Sequence, residues 1–250
     1  MKRRAVVAPA LLAALLLFAW WATATLGHFP AYLLPAPGEV FRRLVTDLPM
    51  LLPYLGVTLA EALGGCLAGA VVALPLAVAI HRLGWFRAAV QPFLGATQAI
   101  PAIALAPLLV LWIDYGWWAV VTLCALMVFF PILVTSVLGL NRLDPDVIKA
   151  ARIDGAGSAR LLVDIELPLA WPAVLAGLRN GFTLSVTGAV VGEMVMGGRG
   201  LGTVLTVQRD AVDTAGMFAT LTVLCAVAAG LYSLIYTWER RSQTIEALTT

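Results

Sequence analysis

Four ionisable side chains lie inside or at the ends of long apolar runs and are the first candidates for chemistry: Glu61, Asp114, Arg179 and Glu193. A charge placed in hydrocarbon costs about 2.5–3.5 kcal/mol on insertion scales, so each needs a partner, a wet cavity or a route to the interface. Arg179 and Glu193 share one run fourteen positions apart, which is ~21 Å along a helix. They cannot pair within one chain. Two readings stay open for Glu61, Arg179 and Glu193: a long side chain near a span end reaching back to water, or a group facing a translocation path or gate. None is central enough for the carboxylate of a proton-coupled carrier. The uncharged polar residues nearest mid-run are Thr97, Gln98, Ser185 and Thr187. They are candidate weak contacts for a hydrophilic solute, the alternative being hydroxyls bonded back to their own helix carbonyls.

Other chemistries lack their residues. There is no G-x-x-x-x-G-K-[ST] loop, and the only lysines, Lys2 and Lys149, are followed by Arg3 and Ala150, so ATP has no phosphate loop here. His28 and His81 sit at span ends, and no aspartate lies within a span. The catalytic and metal sets are expected to be empty, leaving an intramembrane hydrolase as the enzymatic rival to transport. Cys66, Cys124 and Cys225 are scattered through apolar runs and read as small packing residues. A net charge of +2 with dispersed basic residues gives no reason to expect nucleic acid.

The densest run of charges, Asn141 to Pro172, is the one substantial water-facing segment, and it has local order. Asp144-Pro145 is a helix start: a carboxylate to cap free amides, then a proline where no amide hydrogen is needed. A helix from there sets Val147, Ile148 and Ala151 on one face, with Asp146, Lys149 and Arg152 elsewhere. Gly155-Ala156-Gly157 breaks it, because glycine enters the left-handed region freely. Ser158 is read as the cap of a second short helix with Leu161, Leu162 and Ile165 on its apolar face, ended by Pro168.

The elements holding these residues must be membrane helices. Of 250 residues, 61% are hydrophobic and 12% charged, with a mean hydropathy of +0.94. Residues 5–26, 88–113, 115–141 and 214–238 carry no ionised side chain, and each is long enough to cross ~30 Å of hydrocarbon. A soluble enzyme, a disulfide scaffold and a disordered chain are excluded. The expected fold is an all-α integral membrane protein of one domain, 1–250. Its six spans run near 5–26, 55–80, 92–113, 116–140, 174–197 and 215–238, the first read as retained rather than cleaved. With both termini in the cytoplasm, eleven Lys and Arg fall in inner segments against Arg42, Arg43, Arg199 and Arg209 outside, the sense of the positive-inside rule. The outer stretch Gly27 to Pro53 is read as a short helix around Glu39–Val45, bracketed by prolines and lying on the outer surface. Gly64, Gly65 and Gly69 permit close helix approach.

Lys149-Ala150-Ala151, three residues, Gly155, nine residues, then Ile165-Glu166-Leu167-Pro168 resembles the E-A-A-x3-G-x9-I-x-L-P signature of ABC importer permeases, with Lys149 in place of the glutamate. In the same order along the chain stand Pro35-Ala36-Pro37-Gly38-Glu39-Val40, Thr58-Leu59, Ile100 to Leu108, Phe129-Phe130-Pro131-Ile132, Gly177-Leu178-Arg179, Gly192-Glu193-Met194 and Gly200-Leu201-Gly202. Together they are similar to the nitrate/sulfonate/taurine type of permease. The resemblance implies a type I importer of two copies of this subunit, two ATP-binding subunits and an extracytoplasmic solute-binding protein in a bacterial inner membrane. ATP and Mg would reside in the partner subunit and no cofactor on this chain. It also implies that Lys149, Ala150, Ala151, Arg152, Asp154, Gly155, Ala156, Leu167 and Pro168 form a coupling element docked on the ATP-binding subunit. The solute would be a sulfonate, taurine, nitrate or a pyrimidine vitamin precursor. Thr97, Gln98, Ser185, Thr187, Arg179 and Glu193 are the path candidates, and an ATP-independent carrier or channel is the alternative.

Overall fold

The computed structural model describes residues 2–27, 29–30, 32–98 and 101–249. Among them no strand forms, as expected for a chain whose backbone groups must be satisfied within each segment when lipid surrounds it. Helix α1 (Lys2–Leu26) meets the rest through Trp20, whose indole donates to the Pro35 carbonyl at 3.2 Å and stacks on Phe218.

Helix α2 (Pro37–Arg82) corrects the expected outer surface helix and separate second span. The 46 residues form one helix through Pro49, Pro53 and Pro75, ~69 Å long at 1.5 Å per residue. Each proline removes a hydrogen bond, but helices packed on neighbours in a membrane absorb that loss by local adjustment. The third apolar run is the reverse case. It divides into α3 (Gly84–Gln98) and α4 (Ala102–Ile113). Pro101 stands at the N-cap of α4 with extended backbone, and the residue before a proline is disfavoured in helix.

Helix α5 (Trp117–Asn141) is followed by α6 (Pro145–Ile153), a nine-residue helix with no buried residue. The chain then enters α7 (Ser158–Arg160), a widened π turn (Leu161–Glu166) and α8 (Leu167–Met196) without interruption. Pro168 therefore does not end a helix. The π turn carries the Leu167 amide to the Leu162 carbonyl, five residues back, and the wider turn relieves the clash a proline makes one turn earlier. Helix α9 (Leu201–Asp210), unforeseen in the sequence, and α10 (Thr214–Thr249) complete the chain.

Four helical stretches are long and apolar enough to cross a membrane: Pro37–Arg82, Trp117–Asn141, Ser158–Met196 and Thr214–Leu234. Leu11–Leu26 and Ile103–Ile113 are shorter apolar helices. The core is α5 sandwiched between α2 and α8, with Cys66, Ala70, Ala73, Val128, Ile132 and Leu133 packed at one level. Small residues set the spacing. A Cβ on Gly65 would overlap that of Cys124, and one on Gly177 would overlap the Thr135 hydroxyl. Leu51, Leu55, Leu201, Leu205, Val223 and Leu224 close the other end, seating α9 between α2 and α10.

Candidate functional site

The inner charged segment is built as its local sequence asks. The Asp144 carboxylate accepts from the Asp146 amide at 2.8 Å and caps α6. Gly155 has φ +86°, so the turn that ends α6 sits where a side chain is strained. On α6 itself Lys149 pairs with Asp146 at 3.0 Å, Val147 is exposed, and Ile153 is 85% exposed. Among the described residues none buries a side chain of this nine-residue helix, which leaves two β-branched apolar side chains bare.

Its attachment to the bundle is polar. Ser158 lies inside α7 rather than capping it, with Gly157 at the N-cap. The Ser158 hydroxyl accepts from Arg82 Nη1 at 3.2 Å and its carbonyl from Nη2 at 3.1 Å. Arg82 Nη2 also lies 2.8 Å from Oε2 of Glu166, and His81 Nε2 is 3.5 Å from the same oxygen. Beside them Arg87 Nη2 donates to Asn141 Oδ1 at 2.7 Å. Glu166, in the unspecified position of the I-x-L-P pattern, is 3% exposed. Leu167 and Pro168 stand apart from α6, on the wall of an apolar groove of about 610 Å³ shared with Pro75 and Trp171. The nine residues expected to couple thus divide between the exposed helix with its turn and the start of α8.

At the opposite end a second constellation centres on Glu193. Instead of reaching for water, Glu61 and Glu193 are each 1% exposed and their side chains meet. Glu193 Oε2 accepts from the Gly202 amide at 2.5 Å, while Thr58 Oγ1 accepts from the Leu201 amide at 2.9 Å. Two side chains from two helices thereby satisfy free amides at the N-terminus of α9, where negative charge is favoured. Gly200 and Gly202 are required by contact: a Cβ at 200 would overlap the Glu193 carboxylate, and one at 202 the Val190 carbonyl. Gly192-Glu193 and Gly200-Leu201-Gly202 are the two halves of one capping device. Glu61 also lines a pocket of about 460 Å³ with Trp117, Gly198 and Arg199.

The other path candidates do not converge. Ser185 is fully buried, its hydroxyl donating to the Ala62 carbonyl at 2.6 Å, and Cys124 Sγ donates to the Ser185 carbonyl at 3.4 Å. Thr187 is exposed on α8, with its hydroxyl 3.4 Å from the Thr183 carbonyl. Arg179 lies over the rings of Tyr232 and Tyr236, at 5.0 and 5.4 Å, a cation–π seat on α10. Thr97 and Gln98 end α3, and their side chains lie outside the described residues. The sequence marks Ser158 only as a helix cap and Thr58 only within the resemblance, and it gives Arg82 no role at the site. The available signal for Arg82 was a cation on the last turn of a span that ends on the same expected side of the membrane as the dense charged segment.

Long apolar helices, with the few ionisable groups inside them buried or seated on partners, and a bare amphipathic helix on one side define a polytopic membrane protein built to work with a soluble partner. The chain belongs to the family of binding-protein-dependent transport system inner membrane components, whose profile matches residues 65–242. It is 38% identical over 228 residues to the riboflavin transport system permease protein RibX of Chloroflexus aurantiacus, covering 90% of this chain and 85% of that one. To the formylaminopyrimidine transport permease protein ThiX of Halalkalibacterium halodurans it is 31% identical over 242 residues, covering 93% and 96%. The fold matches the MetNI methionine ABC transporter in an inward-facing conformation with a TM-score of 0.69 at 18% identity, over 79% of this chain and 98% of that one. The nitrate/sulfonate/taurine type expected from the sequence fits, and the chain is a permease subunit of an ABC importer. ATP hydrolysis belongs to a separate subunit of such importers.

Proposed function

We propose that two copies of this subunit form the path for a small planar nitrogen heterocycle, pyrimidine- or flavin-like, and that α6 is the coupling helix docked in a groove of the ATP-binding subunit. The single observation that carries the coupling role is α6 itself: nine helical residues, none buried, joined to the bundle through a left-handed Gly155. An apolar ridge with charged flanks is the form of a helix that fits a groove. The substrate class rests on RibX and ThiX, which are named for riboflavin and formylaminopyrimidine, both ring nitrogen compounds. In this arrangement the chain is one permease domain with six spans, the two shorter apolar helices included. Both termini and α6 face the cytoplasm, and α9 faces outward toward an extracytoplasmic solute-binding protein. Of the path candidates, Thr187 is the exposed one on α8 and is assigned to the shared path.

The test is reconstitution of the permease with its ATP-binding subunit and binding protein in liposomes. Riboflavin or formylaminopyrimidine uptake that is vanadate-sensitive, with a cysteine at Val147 cross-linking to the ATP-binding subunit, supports both parts. Uptake of taurine in preference to either heterocycle removes the substrate class, and failure of the cross-link in an ATP-hydrolysing complex removes the coupling role.

A further inference from the structure

We infer that the Arg82–Glu166 ion pair is the positioning contact through which movement of α6 reaches α2, and through α2 the outer helix α9. The inference rests on the coupling role proposed for α6. Three observations lead to it. First, the segment after Gly155 and the inner end of α2 are joined by polar contacts: Arg82 to Glu166 at 2.8 Å, Arg82 to the Ser158 hydroxyl and carbonyl at 3.2 and 3.1 Å, and His81 to Glu166 at 3.5 Å. Second, next to these contacts the apolar faces do not close. Leu74, Pro75 and Val78 of α2 face Val163, Leu167 and Trp171 across the groove of about 610 Å³. Packing alone therefore transmits little between these two segments, and a push on the π turn is carried by the ion pair. Glu166 is 3% exposed, and a pair with one end out of water is screened less by salt than a surface pair. Third, α2 is continuous from Arg82 to Pro37, and Thr58 on it accepts the Leu201 amide at the start of α9. One helix thus touches the inner anchor and the outer cap.

The guanidinium also suits the task chemically. Arg82 uses two nitrogens on two acceptors of Ser158, its hydroxyl and its main-chain carbonyl, while Nη2 lies 2.8 Å from Glu166 Oε2 as an ion pair. A planar fork fixes orientation in a way that a lysine ammonium does not. His81 and Asn141 bond at 3.1 Å, so the α2 end is tied at the same level to α5, and the anchor moves with the bundle rather than as a loose side chain.

The experiment uses the full chain co-purified with its ATP-binding subunit, in a background lacking Cys66, Cys124 and Cys225, with one cysteine at Arg199 beside the α9 cap. Its labelling rate by an impermeant maleimide is compared in nucleotide-free and ATP–vanadate-trapped complexes. We expect trapping to change the rate in the parent. In Arg82→Ala and Glu166→Gln most of that change should be lost, while vanadate trapping itself persists. The charge exchange Arg82→Glu with Glu166→Arg should restore most of it, which a purely structural role would not. Should Arg82→Ala fail to insert, Arg82→Lys and Glu166→Asp keep the charges but lose the fork or the reach, and the same rate change is read. A parent rate unaffected by trapping, an unaltered change in the single variants, or no recovery in the exchange overturns the inference. A Val147 cysteine that still cross-links to the ATP-binding subunit in those variants leaves the coupling role of α6 standing. Loss of that cross-link in the parent as well fails the coupling role instead.

Discussion

Gly64 and Gly65 are neighbours in sequence and differ sharply in what their faces meet, which makes them a matched pair for testing how α2 and α5 are spaced. A methyl on Gly65 would overlap Cβ of Cys124 and lie 2.9 Å from the Val121 carbonyl oxygen and 3.1 Å from the Ala125 amide nitrogen. A methyl on Gly64 would lie 3.6 and 3.7 Å from the Val121 methyls, which is ordinary contact. Two of the atoms facing Gly65 are backbone and cannot rotate away, so relief requires the helices to separate. Alanine favours a helix interior by about 1 kcal/mol over glycine at either position, and the contrast between the two variants removes that shared gain. Overpacking a tight interface costs about 1–3 kcal/mol. Gly65→Ala should therefore be less stable than Gly64→Ala by that amount, about 2–4 °C of melting temperature per kcal/mol for a chain of this size. Thermal unfolding in one detergent, followed by tryptophan fluorescence, measures it. Adding Cys124→Gly should recover part of the loss, with a coupling of about 0.5–3 kcal/mol in a double-mutant cycle. Equal melting temperatures for Gly64→Ala and Gly65→Ala would refute the close approach.

Glu193→Ala should cost about 1–3 kcal/mol, because the buried Gly202 amide loses its acceptor, whereas Glu61→Gln, which removes a like group beside Glu193, should not lower stability; thermal unfolding of the two variants distinguishes them. Gly155→Glu should leave the protein inserted and abolish uptake, since φ is +86° there and a large side chain is strained; pull-down of the ATP-binding subunit at parent strength with normal uptake would count against it. Single cysteines at Ala159 should react with an impermeant reagent only after membranes are opened, and those at Thr206 and Ala36 in intact cells; labelling of position 159 in intact cells reverses the orientation.

The sequence by itself determined whatever depends on a few adjacent residues or on the solvent a segment must face. Asp144-Pro145 starts α6 and Gly155 ends it, because capping and backbone strain are decided within one turn. The apolar runs required membrane helices, and Glu61, Arg179 and Glu193 each required a partner, a wet cavity or a route to water, since burying an ionisable group costs too much to leave it alone. Which partner was beyond local reasoning. Only the tertiary structure set Glu193 on the Gly202 amide, Arg179 over Tyr232 and Tyr236, and Ser185 on the Ala62 carbonyl. Proline shows the same division. Pro101 separates α3 from α4, yet Pro49, Pro53 and Pro75 lie within α2, and Pro168 follows a widened turn inside a longer helix. The local penalty is the same at each position. What differs is whether the helix continues past the proline, and that depends on the packing around it, which adjacent residues do not encode.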